Sequence, residues 1–164
     1  MIRHAKEEDI EEILEIYNDA IANTTAIYTY ELETLDDRKK WYKERLKNNL
    51  PVVVYEKDNK VAGFASFGPF RPYAAFKFTI EHSIYVDKNT RSKGVGSALL
   101  EELIYIAKTN EYKTMIGVID AMNKDSIILH EKFWFDFVGI INHAGYKFDK
   151  WLDLAFYQLD LSKK

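Results

Sequence analysis

Four short stretches of this sequence carry residue types that could do chemistry. The first is Arg91-Ser92-Lys93-Gly94-Val95-Gly96-Ser97, two glycines one residue apart behind two basic side chains. Missing side chains let an anion reach backbone N–H groups, a helix start adds partial positive charge, and Arg91 and Lys93 add full charges. That combination suits a phosphate. The second is Glu81-His82-Ser83, whose carboxylate and imidazole can take or give protons. The third is Asn123, Ser126, Ile127 and His130, spaced i, i+3, i+4, i+7, one stripe of a helix with three hydrogen-bonding members. The fourth is Arg71 and Lys77 around the turn "RPYAAF"; the planar fork of Arg71 suits a carboxylate. Each has a plainer reading: a basic turn, an exposed strand glutamate, an N-capping asparagine, two solvated cations. His82 falls on the apolar side of its strand, where a satisfied core histidine is expected.

Better-known phosphate loops fail on spacing. A P-loop needs Lys and Ser/Thr directly after its last glycine, but Gly96 is followed by Ser97 and Ala98. A dinucleotide-binding loop needs a third glycine where Leu99 stands, near the start of the domain. What remains is R-x-x-G-x-G between a strand ending Ile84-Tyr85-Val86 and an amphipathic helix.

The elements that must position these groups follow from periodicity. Helical spacing predicts helices over Asp9–Ala22, Thr34–Asn48, Val95–Thr109 and Asn123–Phe133. Thr34 with Asp37 three residues on reads as a capping box. Ile2–Ala5 reads as a first strand, and Pro51–Gly68 as a hairpin turning at Lys57-Asp58-Asn59-Lys60. Further strands are expected over Phe76–Val86, Lys113–Ile119, Phe137–Asn142 and Leu152–Leu161. Antiparallel hairpins followed by strand–helix units predict an α+β domain with a mixed sheet flanked by helices.

Bulk composition narrows the class. The 164 residues are of a length for one domain, 1–164, and 47% are hydrophobic against 30% charged, which supports a packed core. A net charge of -3 gives no basis for nucleic acid or an anionic membrane as partner. With no cysteine, disulfides, thiolate metal sites and a cysteine nucleophile are excluded. The four histidines show no metal-ligand spacing, and His4 and His143 have no partner pattern. No apolar run spans a bilayer, and the acidic start lacks a signal-peptide core, so a soluble cytoplasmic protein is expected.

Val86–Leu100, "VDKNTRSKGVGSALL", resembles the acetyl-CoA signature of the GCN5-related N-acetyltransferases. "NKDSIILHEKFWF" resembles that family's downstream helix, with matches at Asn123, Ser126, Leu129, His130 and Phe135. "EIYNDAIANTTAIYTYE", "ASFGPFRPYAAFKFTIEHSIYV" and "GYKFDKWLDLAFYQLDL" are similar to the phosphinothricin / methionine-sulfone acetyltransferase subfamily, over nearly the whole chain.

The resemblance implies a mostly antiparallel twisted sheet of about seven strands with about four helices. It implies acetyl-CoA as acetyl donor, no metal, a homodimer, and acetylation of the α-amine of a small amino-acid analogue. Cofactor contacts would fall on Ile84, Tyr85 and Val86 for the pantetheine arm, and on Arg91, Ser92, Lys93, Gly94, Val95, Gly96 and Ser97 for the pyrophosphate. Asn123 and Ser126 would border the arm. The acceptor would meet Arg71, Ala74, Ala75, Phe76, Lys77, Glu81, His82 and Ser83, with Tyr28 and Tyr30 as pocket wall. Glu81 is implied as general base. His130, where many relatives carry a proton-donating Tyr, could serve as acid or share in base work.

Two positions depart from the pattern. Trp134 stands where the family has a helix-ending Gly, so the turn must differ or carry strain. Asp149 and Lys150 replace a Gly and an Arg near the acceptor mouth. Two alternatives stay open: another acceptor amine (polyamine, aminoglycoside, protein N-terminus), or a CoA-binding sensor without catalysis.

Overall fold

The computed structural model describes residues 1–91 and 93–163. In chain order the elements are β1 (Ile2–His4), α1 (Ile10–Asn23), α2 (Leu35–Lys47), β2 (Val52–Lys57), β3 (Lys60–Pro69), β4 (Thr79–Val86), α3 (Val95–Thr109), β5 (Thr114–Asp120), α4 (Lys124–Lys132), β6 (Asp136–Lys147) and β7 (Lys150–Asp160), with 3-10 turns at Glu7–Asp9 and Ala74–Phe76. One seven-stranded sheet runs in the order β1-β2-β3-β4-β5-β7-β6. Every neighbouring pair is antiparallel except β4 with β5. The expected α+β architecture is the one observed.

Alternation along β2 shows why the sheet is covered on both faces. Val53 points into a core shared with Leu99, Leu100 and Leu103 of α3. Val52 and Val54 point the other way, against Ile10, Ile13 and Ile16 of α1 and Tyr42 of α2. Period-2 strands and 3.6-period helices thus bury complementary stripes. The α2 start is a reciprocal cap: Thr34 Oγ1 accepts from the Asp37 N–H at 3.1 Å, and Asp37 Oδ2 accepts from the Thr34 N–H at 3.0 Å.

The pairing of β4 with β5 positions the site. Their register runs only from Thr79↔Thr114 to Glu81↔Ile116. Both strands continue, to Val86 and Asp120. Beyond Glu81, β4 stays paired with β3 and β5 with β7, so the edges they turn toward each other diverge.

Two local expectations change, and one left open is decided. The strand predicted from Phe76 begins at Thr79, because Ala74–Phe76 coils into a 3-10 turn and the Phe70 N–H bonds the Thr79 carbonyl at 3.1 Å. The strand predicted over Phe137–Asn142 continues to Lys147, passing through an irregularity between Ile141 and Gly145 with His143 at φ 52°. The turn at Trp134 keeps the left-handed shape a Gly would take, with φ 67°. That conformation costs a non-glycine residue about 1–2 kcal/mol. The indole lies 84% exposed, turned out to solvent rather than into the core.

Candidate active site

A cleft of about 800 Å³ opens where β4 and β5 part. One wall is the β4 segment Glu81–Val86, the other is Gly117–Asp120 of β5. The N-terminus of α3 closes one end, α4 lies along a side, and the loop after α1 contributes Thr24, Thr25, Ala26 and Tyr28. An unpaired strand edge inside a sheet presents a row of free N–H and C=O groups, which an amide-bearing arm can pair with.

The glycine loop sits where the sequence places it. Gly94 is the residue before α3 and has φ 80°, a conformation that only glycine adopts without cost. Nothing lies within 4 Å of a Cβ built there, so the requirement is conformational rather than steric. Arg91, Gly94, Val95, Gly96 and Ser97 line the cleft. Lys93 is exposed beside them and its Nζ donates to the Asn89 carbonyl at 3.4 Å. Ser92 lies outside the described residues. Free helix-start amides, two cations and an open strand edge match the pyrophosphate and amide arm of CoA, so the residues fit that cosubstrate.

At the other end, Glu81 occupies the last position at which β4 pairs with β5. The protein crowding the cleft pushes its carboxyl above the usual range, while the Arg71 charge pulls it back. Arg71 lines the same cleft, lying over the Phe70 ring and donating from Nη1 to the Phe70 carbonyl at 2.8 Å. Tyr28 faces both Glu81 and Asp120, and burial plus those two carboxylates push its phenol up to about 12. Tyr28 therefore stays protonated, as a donor, throughout the neutral range.

His82 and His130 meet at the point where the strands part. Their Nε2 atoms are 2.8 Å apart. His82 Nδ1 lies 3.0 Å from the Ile116 carbonyl, and His130 Nδ1 lies 2.6 Å from the Ser126 carbonyl. Gly117 leaves room for both rings: a Cβ there would sit 3.1 Å from His82 Cε1 and 3.2 Å from His130 Cδ2. Phe135 packs against both. Burial and the neighbouring ring push the His82 imidazolium down to about 3; burial also lowers His130, against the Ser126 carbonyl. Two charges cannot coexist on this pair near neutral pH. Ser83, Ile84, Tyr85, Val86 and Ser126 line the cleft. Asn123 does so too while its Oδ1 caps α4, accepting from the Ser126 N–H at 3.2 Å.

Other expected residues lie elsewhere. Ala74, Ala75, Phe76 and Lys77 are exposed on the turn before β4, outside the cleft lining. Tyr30 is also outside it; its hydroxyl accepts from the Phe148 N–H at 2.8 Å, tying it to the β6–β7 turn. Sequence reasoning missed Asp120. This buried residue ends β5, accepts from Thr25 Oγ1–H and from the Met122 N–H, and joins the cleft wall. Its position three residues before the α4 cap was the available signal. The His82–His130 contact was also missed.

Comparison with known proteins now gives this geometry a family. Residues 10–135 match the acetyltransferase (GNAT) family profile, and the chain belongs to that family. Its reaction class is accordingly acetyl transfer from acetyl-CoA to an amine. The L-methionine sulfoximine/L-methionine sulfone acetyltransferase of Pseudomonas aeruginosa is 40% identical over 161 residues, covering 98% of this chain and 94% of that protein. An N-acetyltransferase structure from Staphylococcus aureus superposes with TM-score 0.98 at 54% identity, covering 99% and 98% of the two chains. A putative acetyltransferase of Salmonella typhimurium, solved with its cofactor acetyl-CoA, gives TM-score 0.97 at 38% identity, covering 100% and 95%. Among the described residues no group of three or more His, Asp or Glu could hold a metal ion, and no helix is long and apolar enough to cross a membrane.

Proposed function

We propose that this chain acetylates the α-amine of a small amino-acid-like acceptor, of the methionine sulfone, methionine sulfoximine or phosphinothricin type. The reading rests above all on one juxtaposition: Glu81 and Arg71 share one cleft wall closely enough for the guanidinium to act on the carboxyl. An α-amino acid carries an ammonium and a carboxylate one carbon apart. Glu81 complements the first, and Arg71 the second. A polycation would place a positive charge against Arg71. The identity of the Pseudomonas relative supports the same acceptor class.

Acetyl-CoA supplies the activated acyl carbon. Ile84, Tyr85 and Val86 offer their free backbone edge to its amide arm, and Asn123 and Ser126 face it across the cleft. Arg91, Lys93 and the amides from Gly94 to Ser97 hold the pyrophosphate. Glu81 removes the ammonium proton, since only the neutral amine attacks, and the attack is direct because the chain has no cysteine nucleophile. His130 protonates the departing sulfur. The whole chain acts as one domain, working in the cytoplasm, the compartment that supplies acetyl-CoA, as a homodimer formed through β6.

An acetyl-CoA consumption assay against methionine sulfone, methionine sulfoximine, phosphinothricin, spermidine and an aminoglycoside tests the acceptor. Turnover is expected with the amino acids. Turnover with the polycations alone overturns the reading, and tight CoA binding without any turnover points to a sensor.

A further inference from the structure

The contacts of the two histidines require more protons than two neutral rings possess. A carbonyl oxygen only accepts, so the 3.0 Å approach to the Ile116 carbonyl needs a proton on His82 Nδ1. The 2.6 Å approach to the Ser126 carbonyl needs one on His130 Nδ1. The 2.8 Å Nε2···Nε2 contact needs a third. A neutral imidazole carries one proton, so a neutral pair supplies two. It must then set a lone pair against a carbonyl or against the other ring. The Ser126 hydroxyl, 3.5 Å from His130 Nδ1, is too distant to compete with the carbonyl.

We infer that His82 and His130 share a single proton between their Nε2 atoms and act as one acid, with His82 as the positioning residue that fixes the tautomer of His130. Three features mark the pair as built. The ladder between β4 and β5 stops at Glu81↔Ile116, and the His82 side chain takes over the Ile116 carbonyl there. Gly117 supplies the space that any Cβ would narrow. Phe135 covers both rings.

The two Nε2 atoms contact each other, and the two Nδ1 atoms contact the two carbonyls and, at 3.5 Å from His130, the Ser126 hydroxyl; among the described residues no carboxylate bonds them. On the elements packed against the rings, the acidic side chains are Glu81 on β4, Asp120 on β5, and Asp125 and Glu131 on α4. Asp120 is engaged by Thr25 and Met122. Burial disfavours a charge on either ring taken alone. On the pair that charge is spread over both rings and held by the two carbonyl dipoles and the shared bond, so the rings titrate as a unit.

This inference rests on the proposed acetyl transfer and decides the role of His130 within it. In the charged pair both Nδ1 atoms and the shared Nε2 position are protonated, so the pair gives a proton and Glu81 accepts one. The neutral amine forms the C–N bond to the acyl carbon, the C–S bond breaks with its electron pair on sulfur, and the shared proton moves there. The second nitrogen proton, lost as the amide forms, leaves to solvent. The neutral pair is recharged by the proton Glu81 took from the ammonium, carried by water.

Imidazole 15N NMR of the enzyme without any ligand, from pH 4 to 9, tests the pairing apart from the reaction. The expected result is two rings both protonated at Nδ1 and titrating together at their Nε2 atoms. One ring bare at Nδ1 throughout, or two independent titrations, overturns it. The pH profile of kcat supplies a second reading. In His82→Phe the buried His130 loses its proton-sharing partner. Its high-pH limb should move down by about one unit, and kcat at neutral pH should fall about tenfold to a hundredfold, with little change in KM. His82→Gln keeps a polar partner without a titrating proton. It should restore folding and KM but leave the limb displaced; a limb that returns with Gln means the role is structural and overturns proton sharing.

Discussion

Glu81 stands at the last paired rung before the strands diverge, which gives it one foot in the sheet and a carboxyl in the cleft. Crowding by protein disfavours its charged form more than the Arg71 cation favours it, so its carboxyl titrates above the usual range. A base with a raised pKa works only above that pKa, and it binds the abstracted proton more strongly. The low-pH limb of kcat/KM should therefore lie above the pH at which an ordinary glutamate titrates, and Glu81→Gln should abolish it. The variant should lose about a hundredfold at pH 7. It should recover part of that loss at high pH, where the acceptor amine deprotonates unaided. A deficit that stays constant with pH would remove Glu81 from the base role. At the same scale, Trp134 takes the αL turn itself at φ 67°, directly before Phe135, whose ring packs on both imidazoles, and His130 is 5% exposed.

The elements that frame the site were legible where local signals suffice. The cap at Thr34, the glycine before α3 and the asparagine before α4 each announce a helix start through a residue type with one physical use there. What the sequence concealed depends on pairing between distant segments. His82 and His130 are 48 residues apart and meet only because β4 and β5 separate at Glu81. The alternation of Phe76 and Phe78 imitates a strand, but the backbone there closes a turn. Lys147 is the clearest case. In sequence it is one lysine among many, and in the fold it is 1% exposed. Its Nζ donates to the carbonyls of Ile21, Thr24 and Ile27 at 2.7, 2.8 and 2.6 Å, using all three of its protons. Those carbonyls end α1 and begin the loop whose Thr24, Thr25 and Tyr28 wall the cleft. Lys147→Met leaves them without donors. It should lower stability by about 3 kcal/mol, read as a lower denaturation midpoint. It should also raise KM for the acceptor more than for acetyl-CoA, because the loop faces the acceptor end. An equal rise in both would mean that the lysine steadies the whole sheet.

At the scale of the molecule, the sheet ends in a liability. β6 is a twelve-residue edge strand, and most of it is exposed. Phe137, Val138, Ile140 and Ile141 on it are each 47–59% exposed, and Tyr146 and Trp151 at the turn are 54% and 63% exposed. Long apolar edges pair with other chains unless charge, proline or a cover blocks them, and β6 has no proline and only Asp136 and Lys147 as charges. Both sides of the strand are apolar, so solvent exposure is costly whichever face turns outward. A second copy covers such a strand most economically, since the same patch then meets itself across a two-fold axis. The turn beyond it carries Phe148, whose N–H is held by Tyr30 from the loop after α1, so an interface on β6 would brace the acceptor side of the cleft as well. Light scattering during size exclusion should give about 38 kDa, twice the 19.2 kDa chain. Ile140→Lys should shift that mass toward the single chain at micromolar concentration and weaken acceptor binding while acetyl-CoA binding, set at the other end of the cleft, stays near native. A native enzyme that runs as one chain, fully active, would leave β6 without a partner and end the dimer proposal.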